Sequence, residues 1–201
     1  MNALKLDLTK EHPAYYKAKQ NPTIQEFDAF NYLTIKGQSA PEDKLFTGAI
    51  ETIYPVAYAI KFIYKDREQD FVVPKMEGQW WVEDERPFEE VPRYEWHWRI
   101  MIRMPEFVDE TTFLTAIDTL KTKGKPIRLE EVKFEKIHEG KCVQMLHIGS
   151  YEEEQETIQQ IFQKIQEENL EVNGYHHEIY ISDPIKTPAW KLKTIIRYPV
   201  K

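Results

Sequence analysis

The 201-residue chain has one cysteine, Cys142, and only seven glycines. A lone cysteine cannot close an internal disulfide, and it excludes a thiolate-rich metal site. No stretch of 18 apolar residues occurs, so no transmembrane helix is expected. Positive charge is in deficit: 27 Lys and Arg stand against 34 Asp and Glu, for a net charge of −7. That balance argues against nucleic acid, whose phosphates need a basic surface, and against an anionic membrane. The leading stretch MNALKLDLTKEH is charged throughout and does not read as a secretory signal, so a reducing cytoplasmic setting is expected. No P-loop, G-x-G-x-x-G or G-x-S-x-G motif is present.

What the chain does have is aromatic side chains. They make up 13% of it, and four of its five tryptophans (Trp80, Trp81, Trp96 and Trp98) crowd between residues 80 and 98. Trp is bulky and its N–H needs a partner, so such a cluster fits either a large core or a ligand wall. Hydrophobic residues at 41% and charged residues at 30% are those of an ordinary globular chain.

Residues 1–28 are polar, with Pro13 and Pro22 as breakers, and read as an N-terminal arm. FNYLTIKG alternates as a strand. Phe46, Ala49, Ile50, Ile53, Ala57 and Ile60 then recur at helical spacing over residues 42–65, with Pro55 inside. Short strand pieces DFVVP and GQWWVE lead to a long one, YEWHWRIMIRMP. Asp109 is the expected N-cap of a second helix that Gly124 stops. The strand KCVQMLHIG follows. The clearest helix covers residues 152–168, with Ile158, Ile161, Phe162 and Ile165 on its apolar face. The strands YHHEIYIS and KLKTIIRYPV complete the chain. The pattern strand–helix–strand–strand thus occurs twice. It predicts an α+β fold of tandem repeats: repeat one at about 29–105, a connecting helix at about 106–125 and repeat two at about 126–201. A cleft between the repeats is the expected ligand site.

In YHHEIYIS, alternation sends Ile179 and Ile181 one way and His176, Glu178 and Tyr180 the other. The isoleucines are expected under the helix, which turns Glu178 and Tyr180 away from it. Glu178 is then either an exposed charge on a solvated face or a carboxylate in an aromatic cleft. Tyr54, Tyr58 and Lys61 share one face of the first long helix, where edge packing and ligand contact are equally good readings. His176 and His177 point to opposite sides of their strand and cannot both bind one metal. Cys142 and His147 are out of phase, which makes a packed thiol the better reading than a nucleophile. The acidic run SYEEEQE reads as a helix start with a solvated face. No metal and no organic cofactor is expected.

Residues 145–200 carry the pattern H-x-G-x-Y, a helix, H-E-I-Y-x-S-D-P, and K-L-x-T-x-x-R-x-P-V. Together with NYLTIKG, IYPVAYAIKF, MEGQWWVE and EWHWRIMIRMPEFV upstream, it resembles the GyrI-like small-molecule-binding family over roughly residues 25–200. The resemblance implies SHS2-type repeats around a ligand cleft. Related domains are the drug-sensing halves of MerR- and AraC-type regulators, in which a Glu of the E-x-Y strand meets cationic aromatic ligands. The matching residue here is Glu178. No helix-turn-helix precedes the domain, so a regulator is not expected. GQWWVE and EWHWRIMIR are similar to a stand-alone branch that hydrolyses cyclopropanoid DNA-alkylating compounds in an aromatic cage. The resemblance implies Glu178 and Tyr180 as catalytic residues and Trp98, Trp81, Tyr54, Tyr58, Trp96 and Tyr151 as ligand contacts. Two rivals remain: a non-catalytic protein that sequesters or senses a small molecule, and a protein-binding module of the gyrase-inhibitor kind. The oligomeric state is not legible.

Overall fold

The computed structural model describes residues 5–83, 86, 90–124 and 128–201, and the expected boundary at residue 125 lies outside them. The chain divides into two compact units. The first comprises the described residues of Met1–Glu11, Phe30–Met76 and Trp80–Ile137; the second comprises His12–Ala29, Glu77–Gln79 and His138–Lys201. No described helix is long and apolar enough to cross a membrane.

In the first unit, β2 (Phe30–Gln38) pairs antiparallel with β4 (His97–Met104) on one side and β5 (Lys133–Ile137) on the other. Leu33 lies opposite Ile102, Ile35 opposite Ile100, and Gly37 opposite Trp98. Period-two alternation puts all six on one face. That face is covered by α3 (Lys44–Asp66) and α4 (Glu110–Thr122). Both helices begin as their sequences require: the Asp43 carboxylate accepts from the Leu45 N–H and the Asp109 carboxylate from the Thr112 N–H, each at 2.7 Å. Of the expected α3 stripe, Phe46, Ala49, Ile53, Ala57 and Ile60 are buried and Ile50 is half-buried. Gly37 is required by its neighbour, because a Cβ there would lie 2.3 Å from the Trp98 ring.

In the second unit, β6 (Gly140–Ile148) pairs with β1 (Thr23–Phe27) and β8 (Lys193–Pro199), and β8 pairs with β7 (His176–Tyr180), all antiparallel. The strand β3 (Met76–Trp81) contributes its Glu77–Gln79 stretch to this unit. One face of β6 and β8, with Val143, Met145, Ile196 and Tyr198, packs under Ile161 and Ile165 of α5 (Gln155–Glu167). Where an irregular arm was expected, the chain is folded: α1 (Leu8–Glu11), α2 (Pro13–Tyr16) and strand β1. Tyr15 and Tyr16 of α2 are buried. The polar composition concealed these side chains, whose burial depends on partners distant in the chain.

Those partners form a buried ionic chain. The Tyr15 hydroxyl donates to Glu77 Oε2 at 2.5 Å, and His177 Nε2 meets the same oxygen at 3.0 Å. His177 Nδ1 lies 2.8 Å from Glu139 Oε1, and Arg197 donates to Glu139 Oε2 at 3.3 Å and to Gln144 Oε1 at 2.9 Å. The Arg197 guanidinium also lies over the rings of Tyr15 and Phe27, at 4.2 and 4.1 Å. Two cations and two carboxylates balance, which is what makes burial of all four tolerable. Burial alone would push His177 down, but the carboxylates of Glu139 and Glu77 outweigh it and hold it at about 9. Burial would raise Glu139, yet His177 and Arg197 bring it to about 2.

These shifts fix a stability profile. A His raised from 6.5 to about 9 stabilises fully below 6.5, and that contribution is lost as pH rises through 9. A Glu lowered from 4.5 to about 2 stabilises above 4.5, and loses its contribution as pH falls to 2. The melting temperature should therefore peak between these limits, at about pH 5–6, and fall on both sides. In a His177→Phe variant, thermal melts across pH should show a lower maximum and a shallower decline between pH 7 and 9. An unchanged alkaline decline would mean that another group causes it.

Candidate functional site

Strand β7 separates His176, Glu178 and Tyr180 from His177 and Ile179 by simple alternation. Strand pairing then decides which set meets the helix. Glu178 lies opposite Ile196, and Ile196 packs under α5. Glu178 and Tyr180 therefore share the helix-covered face, not the opposite one, which reverses the expected assignment. The physical reason is in the rest of the sheet. The other face carries the ionic chain and the Tyr15 and Phe27 rings, so the fully buried Ile179 and His177 belong there. The α5 side of β7 leaves His176, Glu178 and Tyr180 half-buried.

Glu178 has two polar neighbours, His176 and Glu154. His176 Nε2 lies 2.8 Å from Glu178 Oε1, and His176 Nδ1 lies 2.7 Å from the Tyr198 hydroxyl. The carboxylate can only accept, so Nε2 carries the proton of that contact. The other is Glu154, only 5% exposed, with a carboxyl oxygen within 4.8 Å of one of Glu178. Glu154 sits where a 3-10 turn at Tyr151–Glu153 runs into α5. A capping box fixes that turn: the Ser150 N–H and hydroxyl both reach Glu153 Oε2 at 3.0 Å. Burial, then the nearby Glu178 charge, then Glu152 push the Glu154 carboxyl far above the usual carboxylate range. Burial together with Glu178 and Glu154 pushes the Tyr151 phenol up to about 12.

Donor atoms of Glu154, His176 and Glu178 all lie within 4.8 Å of one another, the one such group among the described residues that could hold a metal ion. The Tyr151 and Tyr180 rings meet edge to face at 5.9 Å beside it. A carboxyl pair, an imidazole and two phenol rings thus converge at the start of α5. Chemically, the set can hold a cation, orient a water or move a proton.

The four clustered tryptophans belong to the first unit. Trp98 is fully buried, perpendicular to Phe46 at 5.2 Å, and its Nε1 donates to Ser39 Oγ at 3.1 Å. Trp80 stacks on the same Phe46 at 5.1 Å. Trp96 is half-buried and donates to the Val91 carbonyl at 3.0 Å. Trp81 is half-buried and stacks on His97 at 5.6 Å. Tyr54 packs against the α3 core, while Tyr58 is exposed beside Phe62, their ring centres 6.4 Å apart. Of the expected site residues, Glu178, Tyr180 and Tyr151 come together in the second unit. Trp98 and Trp96 come together with Trp80 around the α3 core.

The sequence reading assigns no site role to Glu154, His176 or Tyr198. Glu154 was counted with the solvated acidic run, although it precedes Ile158, Ile161 and Ile165 in phase with the apolar stripe; that phase was the available signal. Cys142 is buried, and burial together with the Glu139 charge pushes its thiol up to about 12, in keeping with a packed thiol. A separate cavity of about 410 Å³ is lined by His147, Glu153, Glu156 and Thr157 among others and holds none of the expected site residues. Its His147 is occupied, with ring nitrogens 2.9 Å from Thr157 Oγ1 and 3.0 Å from the Ser150 carbonyl.

No curated protein matches the chain. Solved structures do. An uncharacterized conserved protein from Listeria innocua is 34% identical with a TM-score of 0.92, covering 98% of this chain and 100% of its own. A hydrolase from Listeria innocua is 33% identical with a TM-score of 0.87 over the same shares. The EcmrR C-terminal domain, at 12% identity and a TM-score of 0.56, is similar in fold. The family model for the GyrI-like small molecule binding domain matches residues 20–201. With that match spanning most of the chain, and an α+β strand–helix–strand–strand order in each unit, the chain belongs to the GyrI-like small-molecule-binding family.

Proposed function

We propose that the chain binds flat, hydrophobic xenobiotics at the start of α5 and hydrolyses those that carry an activated cyclopropane, thereby protecting the cell. The observation that carries this reading is the Glu178 carboxyl, half-buried between His176 and Glu154 and beside the Tyr151–Tyr180 ring pair. Support also comes from the hydrolase of Listeria innocua, whose sequence is 33% identical end to end. A flat ligand lying on the tyrosines would gain about 0.5–1.5 kcal/mol per ring contact beyond the area buried. Holding it still brings the ring carbon and an attacking water together. Glu178 is the group placed to exchange a proton with the reacting atoms, and Tyr180, two residues along the same face, orients the ligand beside it.

A second reading is a protein that only sequesters. The same carboxyl and the same rings would hold a lipophilic cation without turning it over. The two readings part on product. Incubation with a cyclopropane-fused dienone should yield a compound heavier by one water, and its recovery unchanged would leave sequestration. The Glu178→Gln protein should fold normally and turn over roughly 10²-fold more slowly, the usual scale for a lost acid or base. A native rate in that variant would reduce Glu178 to a binding residue.

Ring strain supplies driving force that an amide or phosphate ester lacks, so a Lewis acid is not required by the chemistry. Turnover should therefore survive exhaustive EDTA treatment and dialysis. Activity lost on chelation and restored by zinc or magnesium would instead assign the Glu154, His176 and Glu178 donors to a metal.

A further inference from the structure

We propose that Glu154, His176 and Glu178 form a binding site for a divalent transition metal ion such as zinc, and that this ion and the organic ligand compete for Glu178. The metal site stands apart from the hydrolytic reading above; only the effect of the ion on turnover rests on it. One donor atom of each residue lies within 4.8 Å of the other two, the one such group among the described residues. His176 Nε2 and Glu178 Oε1 are 2.8 Å apart. Two ligands at zinc bond lengths of about 2.0–2.2 Å and tetrahedral angles lie about 3.4 Å apart. The three donors are therefore already near the spacing that one ion requires.

Three further features point to a cation. Glu154 is deeply placed, and its Oε1 is buried with no hydrogen-bond partner among the described residues. Such an oxygen has given up its hydration and gains nothing in return until a ligand reaches it. Next, neither Glu154 nor Glu178 is ion-paired with a lysine or arginine among the described residues. Glu139, on the other face of the sheet, has Arg197 as well as His177. Two carboxylates beside one imidazole make a negative site that a dication balances. Lastly, the Tyr198 hydroxyl lies 2.7 Å from His176 Nδ1, which leaves Nε2 as the nitrogen turned toward the carboxyls. A metal-binding imidazole is held in this manner by its other nitrogen. With an ion bound, Nε2 gives its lone pair to the metal, and Nδ1 carries the proton and donates to the Tyr198 oxygen.

The donor set selects among metals. One imidazole nitrogen with two carboxylate oxygens suits zinc, cobalt or manganese. Calcium takes about six to eight oxygens, and magnesium keeps most of its own water. Three protein donors leave a fourth position of a tetrahedral ion to water. The donors stand on fixed elements. His176 and Glu178 are two residues apart on β7, which is paired with β8, and Glu154 follows the turn that the Ser150–Glu153 capping box holds. The consequence for function follows from Glu178. It is the carboxyl assigned above to exchange a proton with the reacting atoms. An oxygen bound to a metal ion cannot also do that, so zinc acts here as an inhibitor. That agrees with a ring opening whose driving force is strain and which needs no Lewis acid.

Isothermal titration of chelator-treated protein with zinc chloride tests the site without any substrate. One ion should bind per chain and raise the melting temperature, and magnesium at the same concentration should do neither. Glu154→Gln and His176→Gln should each weaken zinc at least about 10-fold. So should Tyr198→Phe, which keeps all three donors and removes only the support of His176; circular dichroism checks that each variant is folded. No binding to the native protein, or equally tight binding in all three variants, would overturn the site and leave other histidines as the ligands. Competition is read from the turnover of a cyclopropane-fused dienone: zinc should raise KM with kcat unchanged, and EDTA should reverse the effect. Where the compound is bound but not hydrolysed, the hydrolytic reading fails, and equilibrium dialysis should still show zinc displacing it. A compound neither bound nor hydrolysed would remove that reading and the competition together, and leave the metal site. Zinc held by the three donors with no effect on the compound would overturn the competition. So would turnover lost to EDTA and restored by zinc, which would make the ion catalytic.

Discussion

The second unit is organised by one constraint: Glu178 of β7 lies opposite Ile196 of β8, and Ile196 is under α5. Strand pairing leaves the carboxylate no choice of face. It must share the helix side with Val143, Met145 and Tyr198, and the start of α5 must accommodate it. The accommodation is polar. Glu154 enters the apolar stripe of its helix in order to meet Glu178, and His176 spans Glu178 and Tyr198. The raised Glu154 carboxyl, the raised Tyr151 phenol and the aromatic pair beside them all follow from that register.

The opposite face solves a different problem with similar residues. His177 is the immediate neighbour of His176, yet it is fully buried and held charged between Glu77 and Glu139. There His177 and Arg197 pull the Glu139 carboxyl down against its burial; on the other face burial and the nearby Glu178 charge push Glu154 up. One sheet thus separates a charge-balanced structural core from a charge-frustrated site by the two-residue period of a single strand. The structural side contributes rigidity, and the frustrated side is the one to which the proposed function assigns the chemistry.

Local patterns were legible and long-range ones were not. Asp109 as a helix cap, the Ile158–Ile161–Ile165 stripe and the alternation in YHHEIYIS need only neighbouring residues, and the α+β order built from them holds. Alternation names two faces but does not say which one a helix covers; that depends on β6 and β8, so Glu178 and Tyr180 were assigned to the wrong side. Tyr15 was hidden in a polar segment because its partners, Glu77 and Arg197, lie far along the chain. Glu178 as the residue of interest came through family resemblance, since pattern alone favoured an exposed charge on a solvated strand. The crowded tryptophans were legible as a cluster, and Trp98 with Trp80 packs around Phe46 in the core of the first unit.

The central claim is that chemistry happens at the Glu178 carboxyl rather than elsewhere on the chain. A crystal structure with the ring-opened product bound tests it most directly. The account predicts a flat ligand against Tyr151 and Tyr180, with its phenol oxygen within hydrogen-bond distance of Glu178. A product seated out of reach of Glu178 would contradict it.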